Sequence, residues 1–253
     1  DDAADLGGPP VTTVRRGERV GCRPCHSSRG AAVKLTLFAA SGRTGAHVLE
    51  QALAAGHEVT AVARNSGAVT APVRIVRADL TAADPAVLKS AVDGCDAVVS
   101  ALGPRHHGEY GVVSSGTRAI VEAMVAAGVR RLVVVSVTGI STIPTPSRPN
   151  PPKRDPGVGF FTRTVLSPLA NLRLRRHYED VALMEHELRV SGLDWTSVQL
   201  PLLTDKPPTG HYRIAYEQSV RGGFRIARAD AAQFVLRAVG MPETVRHSVA
   251  VAY

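Results

Sequence analysis

From residue 33 onward, short apolar runs alternate with amphipathic stretches. VKLTLFA (33–39) has the length and apolar content of a buried strand. GRTGAHVLEQALAAG (42–56) then sets Val48, Leu49, Ala52 and Leu53 at helical spacing and ends on Gly56 as a C-terminal cap. HEVTAVAR (57–64) and VRIVRADL (73–80) read as strands, DPAVLKSAVDG (84–94) as a helix and DAVVSALG (96–103) as a strand. GVVSSGTRAIVEAMVAAG (111–128) is the next helix and RRLVVVSVTG (130–139) the next strand. Strands linked through helices pair in parallel with right-handed crossovers, and such a sheet needs cover on both faces. The pattern therefore predicts an α/β chain built as a Rossmann-like, doubly wound parallel sheet.

Residues 141–170 interrupt the rhythm. STIPTPSRPNPPKRDPG (141–157) is too rich in proline for anything but loop, and FFTRTVLSPLANL (160–172) suggests a short helix broken at Pro168. HYEDVALMEHELRVSG (177–192) is an amphipathic helix with Val181, Met184 and Leu188 inward. LDWTSVQLP (193–201) is a sixth strand, Asp230 is placed to N-cap AAQFVLRAVG (231–240), and HSVAVAY (247–253) closes as a strand. Residues 1–32 have no periodicity and are expected to be a disordered extension. Residues 33–253 are expected to form one domain with a small substrate-side elaboration near the C-terminus. The 141–170 loop would overhang the C-terminal ends of the strands, where ligands bind in such sheets.

Charge and composition narrow the partners. The net charge of +8 comes almost wholly from arginine, since lysine stands only at 34, 89, 153 and 206. The arginines are scattered among acids, and aromatics make up only 4%, so neither a basic stripe nor a base-stacking platform is expected and nucleic acid is not the predicted partner. No apolar run reaches the ~18–20 residues of a membrane helix, which points to a soluble, cytoplasmic chain. Cysteines occur at 22, 25 and 95. CRPCH (22–26) has the spacing of a c-type haem attachment site, but the pattern stands in the aperiodic tail with no export signal before it and reads as coincidence. His106, His107 and His177 lack ligand spacing, so no metal is expected.

The segment Ala39-Ala40-Ser41-Gly42-Arg43-Thr44-Gly45 lies between a strand and a helix, the context in which a glycine pattern carries meaning. A helix N-terminus presents unpaired N–H groups and partial positive charge to a pyrophosphate. Gly42 would let backbone approach the ligand, Gly45 would let the helix pack on the sheet, and Ser41, Arg43 and Thr44 would add hydroxyl and guanidinium contacts. Ala39 takes the place of the motif's first glycine, a substitution that costs about 1 kcal/mol or more if φ there is positive. Arg64 follows Gly45 by nineteen residues, at the end of the second strand. An acid at that place holds the ribose 2′-hydroxyl of NAD, whereas an arginine pairs with a 2′-phosphate, so NADP(H) is the expected cofactor and NAD(H) the alternative.

Taken in order, LFAASGRTG, VTAVARN, RADLTAAD, DAVVSALGPR, RLVVVS and SGLDWTSVQLP with LTDKPPTGHYRI resemble the atypical short-chain dehydrogenase/reductases. The resemblance is to the NmrA-like NAD(P)-binding group, in the branch of biliverdin-IXβ and flavin reductases, and covers about residues 33–253. It implies that Gly42, Thr44 and Gly45 hold the pyrophosphate and Arg64 the 2′-phosphate. Asp79 and Leu80 would flank the adenine, and Leu102, Gly103 and Arg105 the adenosine side. Val135 and Ser136 would lie along the nicotinamide ribose, and Pro201 and Leu202 near the nicotinamide. For Asp79, a turn cap is an equal reading.

Beyond Ala39 in place of the first glycine, the chain departs from the main dehydrogenase line at its tyrosines. That line uses Tyr-x-x-x-Lys, but no tyrosine here (110, 178, 212, 216 or 253) has a lysine four residues on, and Tyr178 is followed by Ala182. Ser136 and Tyr178 are the candidate catalytic residues, with Asp180 and Glu185 as further acids better explained by surface solvation. The expected function is hydride transfer from NADPH to a small-molecule acceptor such as a flavin or quinone, by a monomer or homodimer. The alternative is an NmrA-like redox sensor that binds NADP(H) without turnover.

Overall fold

The computed structural model describes residues 32–104, 109–157 and 167–253, with the side chains of 167–174 left aside. The expected tail, with its CRPCH pattern, and Arg105, His106 and His107 lie outside the described residues. The described chain builds an eight-stranded sheet in the order β3-β2-β1-β4-β5-β6-β10-β8. Its strands are β1 (Lys34–Phe38), β2 (Glu58–Ala63), β3 (Arg74–Arg77), β4 (Ala97–Ser100), β5 (Arg131–Val137), β6 (Asp194–Leu200), β8 (Arg213–Tyr216) and β10 (His247–Ala252). All pairs are parallel except β8, which runs antiparallel to β10 at one edge. A separate two-stranded parallel ribbon joins β7 (Leu202–Thr204) to β9 (Arg225–Ala227).

Side-chain alternation along the strands decides which helix covers which face. Leu35 and Leu37 of β1 join Val48, Leu49 and Ala52 of α1 (Arg43–Ala54) and Phe234, Val235 and Ala238 of α5 (Arg228–Val239) in one core layer. Phe38 and its neighbours Val62, Val98, Leu132 and Val134 join the other layer. There they meet Leu88 of α2 (Pro85–Val92), Ile120 and Met124 of α3 (Val112–Ala127), and Met184 and Leu188 of α4 (Ser167–Val190). Two helices on one face and three on the other make the sheet doubly wound. Gly56, at φ +81°, ends α1 in the left-handed conformation that a helix terminus favours in glycine.

Three expectations need correction. α4 is continuous from Ser167 to Val190, so residues 167–170 are helix, not loop. Pro168 stands in its first turn, where the missing N–H has no intrahelical partner to lose. Asp230 does not cap α5, whose N-cap is Ala227. Buried within the first turn, it accepts from Thr209 N at 2.8 Å, Gly210 N at 3.0 Å and the Tyr253 hydroxyl at 2.5 Å, and so ties the 205–210 loop and the C-terminal residue to α5. Asp180 and Glu185, expected on the surface, are buried at 5% and 2% exposure. At the opposite end of the sheet, Arg131 donates to the carbonyls of Asp194, Ala238 and Val239, and burial pulls its guanidinium down to about 10. A cation there complements the C-terminal end of α5.

Candidate cofactor site

β1 and β4 are neighbours, but the chain leaves β1 toward β2 on one side and reaches β4 on the other. A crevice opens at such a switch point. The turn from β1 into α1 forms its floor. Ala39 has φ +58°, its carbonyl accepts from Gly42 N at 2.9 Å, and Gly42 is the N-cap of α1. Gly42 has no side chain with which to cap the helix, so no side-chain cap satisfies the N–H groups of the first turn. Both loop glycines are shaped around the same carbonyl. A Cβ on Gly45 would stand 2.2 Å from Ala39 O, and one on Gly42 would stand 3.1 Å from it.

Ala39 thus holds the left-handed conformation the motif assigns to glycine. An L-residue there costs about 1–2 kcal/mol. Ala39→Gly should therefore raise stability by about 1 kcal/mol and the midpoint of thermal unfolding by about 2–4 °C. A calorimetric melt checks this, and a lower midpoint would show that the strain at Ala39 is not real.

The crevice is walled by Phe38, Ala39, Ser41 and Gly42 from β1 and the turn, by Val62, Ala63 and Arg64 from β2, and by Ala78, Asp79 and Leu80 after β3. Leu102, Gly103 and Val112 complete it. The structure therefore brings Ala39, Ser41, Gly42, Arg64, Asp79, Leu80, Leu102 and Gly103 to one cleft. Arg43, Thr44 and Gly45 continue into the first turn of α1. The exposed Arg43 side chain is ion-paired with Asp205, which also pairs with Arg228 at the start of α5. Asp79 accepts from Thr81 N at 3.1 Å and Thr81 Oγ1 at 2.8 Å, a local turn that sets the wall after β3.

Three contributors were not visible as such in the sequence. Gly116, inside α3, lets that helix close on the cleft, since a Cβ there would lie 2.6 Å from Leu102 Cδ2 and 3.3 Å from Leu80 Cβ. A lone glycine inside a helix pattern was the available signal. Glu109 Oε1 lies 3.4 Å from both Nη1 and Nη2 of Arg64, across the β4–α3 connection. Asp180 reaches from α4 to the N-terminus of α3 and accepts from Val113 N at 3.1 Å, Ser114 N at 3.0 Å and Ser114 Oγ at 2.5 Å.

The strand ends beyond the cleft carry the other predicted residues. Val135 packs half-buried against the α1/α5 core layer. Ser136 is buried and its hydroxyl donates to Glu185 Oε1 at 3.2 Å. The same oxygen accepts from Ser197 Oγ at 2.6 Å and Gln199 Nε2 at 2.9 Å, while Oε2 pairs with Arg189 at 2.8 Å. Glu185 is thus a fully partnered hub joining α4 to β5 and β6, which meets the requirement for burying a carboxylate. Tyr178 is half-buried against the α2–α4 core layer, and burial pushes its phenol above the usual range. Past Pro201, Leu202 and Phe224 are 70% and 56% exposed, and Leu202 N donates to Phe224 O at 3.2 Å.

A mostly parallel sheet with an uncapped helix N-terminus at its switch point defines a Rossmann-fold nucleotide binder. The sequence profile of the NAD(P)H-binding family matches residues 39–242, and the chain belongs to that family. It is similar to the uncharacterised protein YwnB of Bacillus subtilis (strain 168), 36% identical over 111 residues, 42% of this chain and 48% of that one. The chain thus aligns with about half the length of this curated relative. Among solved structures, it resembles the anaerobillin reductase ChuY of Escherichia coli O157:H7, at 23% identity and TM-score 0.67 over 87% of this chain and 96% of that one. It likewise resembles a candidate NADH-flavin reductase of Streptococcus pneumoniae TIGR4, at 23% identity and TM-score 0.66 over 87% of this chain and 99% of that one. These likenesses agree with the Rossmann-like architecture. No helix among the described residues is long and apolar enough to cross a membrane.

The site fits the cofactor of its family. The α1 N-terminus and the cradle at Gly42 and Gly45 suit a diphosphate, and the cleft between Leu80 and Leu102 presents apolar walls to a base.

Proposed function

We propose that the chain is a reductase that uses NAD(P)H, with NADPH preferred, to reduce a planar conjugated acceptor such as a flavin or quinone. The observation that carries this reading is the cradle formed by Ala39, Gly42 and Gly45 at the head of α1, opening at the switch point of the sheet. When bound, the dinucleotide supplies a hydride and is left as NAD(P)⁺. The chain holds its diphosphate on the first-turn N–H groups of α1, with Ser41, Arg43 and Thr44 alongside. Arg64 receives the 2′-phosphate, and Leu80 and Leu102 flank the adenine.

The acceptor end has a different character. Leu202, 70% exposed just past Pro201, offers an apolar surface to a flat ring system next to the predicted nicotinamide position. The acceptor takes the hydride there, and its proton comes from water. Two features of the chain support water as the source. Ser136 already spends its hydroxyl on Glu185, and Tyr178 has Ala182, buried at 3%, where the dehydrogenase pair places lysine. A phenol raised by burial is also a weaker acid, so Ser136 and Tyr178 act here in shaping the strand ends. Conjugated acceptors tolerate this arrangement because the cofactor performs the chemistry and the protein supplies orientation.

The same buried Ser136 favours one second reading, a redox sensor that binds NADP(H) and does not turn over. The two separate in one assay: NADPH oxidation followed at 340 nm with FMN, a benzoquinone and dichlorophenolindophenol in turn. Acceptor-dependent loss of absorbance is the expected result. Tight NADPH binding with no oxidation by any of the three would replace the reductase with the sensor.

A further inference from the structure

Resting on the reading of Arg64 as the 2′-phosphate group, we propose that Glu109 is the residue that sets the balance between NADPH and NADH. Arg64 stands at the end of β2 on the cleft wall. Its guanidinium is not turned only to solvent. Nη1 and Nη2 both lie 3.4 Å from the single oxygen Glu109 Oε1, with the two side chains 33% and 15% exposed. The carboxylate arrives from the β4–α3 connection, some 45 residues along the chain. It supplies at this corner the acid that an NAD-type site carries at the end of β2.

The geometry of the pair is informative. A strong arginine–carboxylate fork places two nitrogens on two oxygens at about 2.7–2.9 Å. Here both nitrogens share one oxygen at 3.4 Å, so the pair lacks the two-on-two fork and a phosphate can compete for the guanidinium. A 2′-phosphate, with charge near −1.5 to −2 at neutral pH, must take Arg64 from Glu109 and then remain beside that carboxylate. NADH brings no such charge. The pair can stay closed above its ribose, with a carboxylate oxygen in the vicinity of the hydroxyls. Glu109 therefore works against NADPH and not against NADH, which makes the site more permissive than Arg64 alone implies.

Glu109→Gln tests this, because it keeps the shape and removes the charge of a side chain that is 15% exposed. Dissociation constants for NADPH and NADH are measured by calorimetry on wild type and variant at low and at physiological salt. NADPH should bind about five- to tenfold tighter to the variant, and NADH should change less than about twofold. The NADPH gain should shrink at the higher salt, since the repulsion removed is between partly solvated charges. Weaker NADPH binding in the variant, or an equal change for both nucleotides, would overturn the role of Glu109 while leaving the cofactor site intact. Failure of wild type to bind either nucleotide would instead remove the reading on which the proposal rests, and the proposal with it.

Discussion

Gly45→Ala is expected to abolish useful cofactor binding, with the NADPH dissociation constant rising by about a hundredfold or more. The added Cβ would stand 2.2 Å from Ala39 O, 3.0 Å from Ala39 C and 3.2 Å from Ala40 Cα. All three are backbone atoms of the turn proposed to hold the diphosphate, and no rotamer change relieves them. α1 must withdraw from the strand end by a substantial fraction of an ångström, and misplacements of about 1 Å cost about a hundredfold when a site depends on fixed geometry. Overpacking of this kind should also cost about 1–3 kcal/mol of stability. Gly116→Ala is the control. Its closest obstacle, at 2.6 Å, is the Leu102 Cδ2 methyl at the tip of a flexible side chain, so its effect should be several times smaller. Calorimetric titration and thermal unfolding of the two variants side by side check the contrast. Equal, mild effects would show that the β1–α1 turn does not need its glycine.

Arg64→Glu should raise the dissociation constant for NADPH by about a hundredfold and leave NADH within about threefold. The substitution removes the cation proposed to meet the 2′-phosphate and sets a second carboxylate beside Glu109, whose Oε1 lies 3.4 Å from the Arg64 guanidinium nitrogens. Loss of a charge-assisted contact and gain of a like-charge one each cost a few kcal/mol at a partly buried site. Some stability should be lost with the Arg64–Glu109 ion pair, whereas the bond from Arg77 Nε to Arg64 O at 3.2 Å uses the backbone and remains. Titration of both nucleotides decides the matter. Equal losses would show that Arg64 does not read the 2′-phosphate.

The parts of the fold that were legible in the sequence share a cause. From β1 to β5, each element is periodic enough to show its buried face, and the linking helices force parallel pairing and hence the switch point between β1 and β4. The cleft residues Ser41, Gly42, Arg64, Asp79, Leu80, Leu102 and Gly103 could be named because they end strands or begin helices. What stayed hidden depends on partners far along the chain. β7, β8 and β9 are three or four residues long and owe their existence to pairing with one another and with β10. Asp230 has the composition of a helix cap, but its position is set by Thr209, Gly210 and Tyr253. Glu185 and Asp180 looked like solvated acids because their distant partners, Ser136, Ser197 and Gln199 for one and the α3 N-terminus for the other, come together only in the folded chain. Glu109 lies in a polar connection with no periodicity, and nothing local marks it as the neighbour of Arg64. Ala39 was a conditional reading: its cost turned on the sign of φ, and φ is positive.

Isothermal titration of the purified chain with NADPH and NADH tests the central claim most directly. Saturable heat in the micromolar range for NADPH, lost in Gly45→Ala, is the predicted result. No heat from either nucleotide at millimolar concentration would contradict the assignment of the β1–α1 turn as a diphosphate cradle.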